Sequence, residues 1–164
     1  MPASRREPPS APTPGEAAAV HGNGLPYVDE HAIRIAASRE VVWAGLMRHV
    51  TASLLRPHGG WLANLLGTEP PAGFEVSDSV PARKLSLVGR HRFAHYMLVF
   101  ELADARHGST QLRAQTYAAF PGVHGRLYRA LVISSRAHVV ATMHILRSVR
   151  NLSLRGDPAS HHAQ

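Results

Sequence analysis

The feature that most constrains this chain is a change of period near residue 121. From Phe74 to Phe120 apolar residues tend to recur at every second position. From His124 to Leu152 they recur at helical spacing, with no Pro or Gly after Gly125. Alternation builds half-buried strands, and a period of about 3.6 builds an amphipathic helix. A chain that writes the first pattern several times, then the second once at length, packs an antiparallel meander against a terminal helix.

The strands can be read one by one. Gln111 to Phe120 sets Leu112, Ala114, Thr116 and Ala118 against Arg113, Gln115 and Tyr117. His91 to Leu102 puts Phe93, Met97 and Val99 on one face and Tyr96, Leu98 and Phe100 on the other. Leu85 and Leu87 alternate with smaller or polar neighbours, and Phe74 with Val76 marks a short strand. Asp104 to Ser109, with Gly108, is a hairpin connection, and Pro81 and Gly89 mark turns or a bulge. Upstream, Tyr27 to Ala36 reads as a strand with His31, Ile33 and Ile35 on one face. Ser38 then fits a helix N-cap, with Glu40 near the positive helix end. Val41, Val42, Leu46, Met47, Val50 and Leu54 carry a helix from about Arg39 to Leu55. Pro57, Gly59 and Gly60 end it, and Trp61, Leu62, Leu65 and Leu66 suggest a short second helix. The terminal helix, about seven or eight turns long, presents Leu127, Leu131, His138, Thr142, Ile145 and Val149 on one side.

Composition sets the outer bounds. The chain has 164 residues, one domain's worth, and 45% of them are hydrophobic, enough for a core. Residues 1–25 are rich in Pro, Ala and Gly without apolar periodicity and read as a disordered leader. The folded unit is residues 26–154, and 155–164 read as a flexible tail. There is no cysteine, which excludes disulfides, a thiolate nucleophile and thiolate metal ligands. The formal net charge is +7, but Lys84 is the only lysine and the arginines are scattered. No like-charge block, helix-turn-helix pattern or interleaving of aromatic and basic residues points to nucleic acid. No apolar run approaches the roughly 18 residues of a membrane span, and prolines occupy the place of a signal core. A cytoplasmic protein with no specific nucleic-acid partner is the expectation.

Ala36-Ala37-Ser38-Arg39-Glu40-Val41-Val42-Trp43 resembles the first strand-to-helix junction of the START-like, polyketide-cyclase and birch-pollen-allergen superfamily (SRPBCC). Gly89-Arg90-His91-Arg92-Phe93, Phe120-Pro121-Gly122, Gly125-Arg126-Leu127-Tyr128-Arg129 and Leu131-Val132-Ile133 resemble a bacterial branch of it, of the DUF2867 type. The resemblance covers about Tyr27 to Leu152. It implies an α+β helix-grip fold, a curved antiparallel sheet wrapped around a long C-terminal helix, with an apolar cavity between them. It also implies a lipid, sterol or polyketide as ligand, and brings no catalytic residue with it.

The residues supply the candidates. His138 falls on the apolar side of the terminal helix, where it is either a buried, hydrogen-bonded histidine or a group facing the cavity and suited to proton transfer. Arg113 and Tyr117 share a strand face and either anchor a ligand's polar group or form a solvated sheet face. Glu101 is either an outward charge or the partner of Arg113 across the hairpin. His91 and His95 are further candidates for orienting a ligand, and Trp61 either belongs to a lid or packs as a satellite core aromatic. On one continuous strand His91 and His95 would stand about 13 Å apart, too far to share an ion with bonds of about 2 Å, so no metal is expected. No nucleophile elbow or phosphate loop occurs, Ser134 and Ser135 fall inside the helical pattern, and no cofactor is implied.

Three functions follow from this set. The first is binding of a hydrophobic or amphipathic small molecule. The second is a cyclase- or dehydratase-like enzyme with His138 as general base and Arg113 stabilising an enolate. The third is a structural or interaction protein, a homodimer with its cavity collapsed.

Overall fold

The structure is a computed structural model that describes residues 24–55, 73–91, 94–122 and 136–155. In chain order come β1 (Tyr27–Ile35), α1 (Arg39–His49), a π-helical turn (Val50–Leu54), β2 (Glu75–Val80) and β3 (Lys84–His91). They are followed by β4 (Ala94–Ala105), a 3-10 turn (Arg106–Gly108), β5 (Ser109–Ala119) and the C-terminal helix α2 (Ala137–Arg155). The strands form one antiparallel sheet in the order β1-β5-β4-β3-β2. This is the α+β architecture of a helix-grip fold.

Register decides which side chains meet the helices. Leu85 pairs with Phe100, Leu87 with Leu98, Phe100 with Ala114, Leu102 with Leu112, and Leu112 with Ile33. These residues stand on one face and form the main core with Val42, Leu46 and Val50 of the α1 region and Leu146 and Val149 of α2. A continuous apolar layer of this kind is the principal stabilising term, and a one-residue slip would turn all of it to solvent. The opposite face carries a smaller buried cluster of Met97, Val99 and Tyr117.

Local chemistry fixes the junctions. Ser38 accepts from the Val41 N–H at 3.5 Å, so the expected N-cap is present. The Glu40 carboxyl is held below its ordinary range by its backbone N–H and by Ser38. Thr110, fully buried, donates to the Ala37 carbonyl at 2.8 Å and pins the β1–α1 turn onto β5. Helices α1 and α2 touch closely at Gly45, where an added Cβ would lie 2.5 Å from Ser153 Oγ. Beside it Arg48 donates to the Leu152 carbonyl at 2.8 Å, satisfying a last-turn acceptor of α2.

Three sequence expectations are revised. The first helix stays α-helical only to His49 and then widens, with Leu55 N–H bonding to the Val50 carbonyl five residues back. Val50 and Thr51, both β-branched, are weaker α-formers at that point. Residues 91–102 are not one strand. His91 ends β3 and pairs with Ala94 at the start of β4, so His91 and His95 stand on adjacent strands. The separation argued from a single strand therefore does not apply. The helix read from His124 falls partly on residues 123–135, which lie outside the described residues, and the described helix begins only at Ala137. Arg136 has φ 55°, in the left-handed region, and its carbonyl accepts from Val140 N–H to open α2. The short helix around Trp61 lies outside the described residues.

Candidate ligand site

Between the sheet and α2 lies a cavity of about 390 Å³. Its sheet wall includes Val28, Leu98, Thr116 and Ala118, and its helix wall His138, Ala141, Thr142 and Ile145. Phe74 and Tyr96 also line it, their rings 5.1 Å apart edge to face, and Tyr96 OH donates to the Gly73 carbonyl at 2.7 Å. The walls are mostly carbon, so the space favours an apolar guest.

The polar part is built on β1. A register shift between Tyr27 and Asp29 sets Asp29 opposite Thr116 and His31 opposite Ala114, on the face turned to the helices. Asp29 Oδ2 accepts from His31 Nε2 at 3.0 Å and from His138 Nε2 at 2.9 Å. A carboxylate only accepts, so both rings carry a hydrogen on Nε2. His138 is the second residue of α2, and the Asp29 carboxylate therefore sits against the positive end of that helix. All three side chains are at most 24% exposed. Asp29 Oδ1 and Thr116 Oγ1 are buried with no hydrogen-bond partner. Chemically, a histidine oriented by a carboxylate at a cavity wall is the arrangement from which a protein moves protons.

The structure separates Arg113, Tyr117 and His95 from this cavity. Arg113 and Tyr117 stand on the far face of the sheet. Arg113 pairs with Glu30 at 3.4 Å, not with Glu101, which is its register neighbour on β4. Gln115 donates to Glu30 at 3.0 Å, and Tyr117, fully buried, donates to Gln115 at 3.1 Å. The Tyr117 phenol is pushed up, first by burial and then by Glu101. His95 is exposed and stands opposite Arg90 and Ala119. The His91 side chain and Trp61 lie outside the described residues. No group of three or more His, Asp or Glu among the described residues is arranged to hold a metal ion. Asp29 was missed by sequence reasoning. Its signal was the Asp29-x-His31 spacing, which places both on one strand face.

The fold has solved counterparts. A conserved protein from Geobacillus kaustophilus is 14% identical, covers 77% of this chain and 94% of its own, and superposes with a TM-score of 0.55. The ZhuI aromatase/cyclase from Streptomyces sp. R1128 is 15% identical over 84% and 98%, with a TM-score of 0.52. A START superfamily protein from Mycobacterium smegmatis is 12% identical over 79% and 98%, with a TM-score of 0.50. The chain thus has the helix-grip fold of START-like and aromatase/cyclase proteins, the SRPBCC fold. No family model and no curated protein matches it, and nothing in these likenesses supports the DUF2867-type branch in particular. Among the described residues no helix is long and apolar enough to cross a membrane.

Proposed function

We propose that this protein binds a small apolar or amphipathic molecule between the sheet and α2. The observation that carries the reading is the cavity itself. Its volume, about 390 Å³, falls within the roughly 300–1,000 Å³ of ligand sites. Its wall combines a carbon surface with a few placed polar groups, the usual division between affinity and orientation. His138 is the group assigned to orient the guest. Arg113 and Tyr117, on the opposite face, take no part in it.

The test is titration with Nile red, a neutral apolar dye whose emission reports transfer from water. Saturable binding near one dye per chain is expected. An Ala141→Phe variant, which fills the helix wall, should weaken binding at least tenfold while its circular dichroism is unchanged. Unchanged affinity in a folded variant sinks the reading. Native mass spectrometry of freshly purified protein, with extraction of any released small molecule, then identifies what the cavity holds.

A second reading, a cyclase- or dehydratase-like enzyme, is favoured by the 2.9 Å bond between His138 and Asp29. General acid–base catalysis by such a group contributes about 10²–10⁴ in rate. If an oligo-β-ketone thioester is turned over, His138→Gln should cost a factor in that range. Turnover at the unaltered rate removes His138 as the base.

A further inference from the structure

We infer that the cavity selects uncharged ligands and rejects carboxylates and phosphates. The inference rests on the cavity being a ligand site and concerns the charge of what enters it. It comes from an account of where the hydrogens go. An anion taken from water into a carbon-lined space needs cations or donated hydrogen bonds in return. Among the described lining residues there is no Lys or Arg. The one lining group able to carry positive charge, His138, gives its Nε2 hydrogen to Asp29. Two of the three lining hydroxyls have spent their hydrogens: Thr142 donates to the His138 carbonyl at 2.9 Å, and Tyr96 donates to Gly73, which leaves only Thr116 with a hydrogen to give.

What is left for a guest is a single hydroxyl hydrogen with a carboxylate behind it, too few donors to hold an anion. Asp29 Oδ1 has no partner, nor has Thr116 Oγ1 on the facing strand. A ligand carboxylate would meet a protein carboxylate through low-dielectric surroundings, where like charges repel most strongly. A ligand hydroxyl or ester brings no such charge, and a hydroxyl brings a hydrogen that the wall can accept. The polar end of the guest is therefore neutral, and free fatty acids and phosphorylated lipids fall outside the range.

Three probes of one skeleton test this: 2-naphthol, methyl 2-naphthoate and 2-naphthoate, each measured by displacement of Nile red at pH 7. The naphthol and the ester should bind at least tenfold more tightly than the naphthoate anion. The ester controls for shape, since it differs from the anion chiefly in charge. Asp29→Asn, which removes the carboxylate, should narrow the ratio of ester to anion severalfold. If naphthoate binds as well as its ester in the unaltered protein, the inference is overturned while the cavity reading stands. If Nile red binds and Asp29→Asn leaves the ratio unchanged, the role given to Asp29 is overturned. If neither Nile red nor any of the three probes binds, the cavity reading fails and takes this one with it.

Discussion

Replacing Gly45 by alanine sets two known effects against each other, and the geometry says which wins. In a helix interior alanine is favoured over glycine by about 1 kcal/mol. Gly45 lies within α1, so on propensity alone the change should stabilise. Against it, the new Cβ would sit 2.5 Å from Ser153 Oγ, 3.2 Å from the Val149 carbonyl and 3.3 Å from Ser153 N. Ser153 is fully buried and donates to Val149 at 2.8 Å, so its hydroxyl is held by its own bond. The other two contacts are backbone and are relieved only by moving the helices apart. Overpacking of this kind costs about 1–3 kcal/mol. The expected balance is a loss of about 1 kcal/mol, or about 2–4 °C in Tm for a chain of this size. The cycle with Ser153→Ala isolates the clash. That single change should be nearly neutral, and the double variant should be more stable than Gly45→Ala alone by about 1 kcal/mol. Urea denaturation at constant m reads all four proteins. Stabilisation by Gly45→Ala, or strict additivity in the double variant, would refute the close contact of α1 with α2.

Two further outcomes are expected. Thr116→Val replaces a buried, unpartnered hydroxyl by a methyl of similar shape and should raise stability by about 1 kcal/mol; a loss of that size would show that Oγ1 has a partner. The third concerns His49, a buried histidine on α1 whose pKa is lowered, first by burial and then by His144. Its unfolded form binds protons more readily, so its contribution is fully present above the ordinary histidine value near 6.5. That contribution is lost as pH falls through the lower folded value. His49→Leu should therefore lose less stability than the parent between pH 7.5 and pH 5. His144→Gln should flatten the curve less, because burial is the larger cause, and equal slopes in all three proteins would contradict the assignment.

The fold was legible where pattern and packing agree. Leu112, Ala114, Thr116 and Ala118 alternate because one face of β5 meets the helices, and Ile145 and Val149 recur because one face of α2 meets the sheet. Ser38 announced its helix through the hydrogen bond its side chain makes. Direction was the harder matter. Alternation says that Arg113 and Tyr117 share a face but not which face meets the helices, and they stand on the opposite one, where Tyr117 is nonetheless fully buried. The end of β3 at His91 and the start of β4 at Ala94 were hidden because Phe93 continues the apolar pattern in the sequence. The start of α2 was hidden because backbone conformation at Arg136, not side-chain character, sets where the described helix begins. The cavity's polar group was the least legible. Asp29 and His138 meet only because β1 and α2 pack together, and no local spacing announces a contact between residues so far apart in the chain.

Among the described residues β1 is an outermost strand, hydrogen-bonded along one side to β5 alone. Edge strands are the first part of a sheet to fray. Yet this strand holds the carboxylate that stands behind the lining residue His138, and the bond from Asp29 to His138 runs across the layers from strand to helix. That bond works as a clasp on an open hem. A guest that draws His138 away would also loosen the seam between β1 and β5, and amide exchange along that edge would report binding inside the cavity.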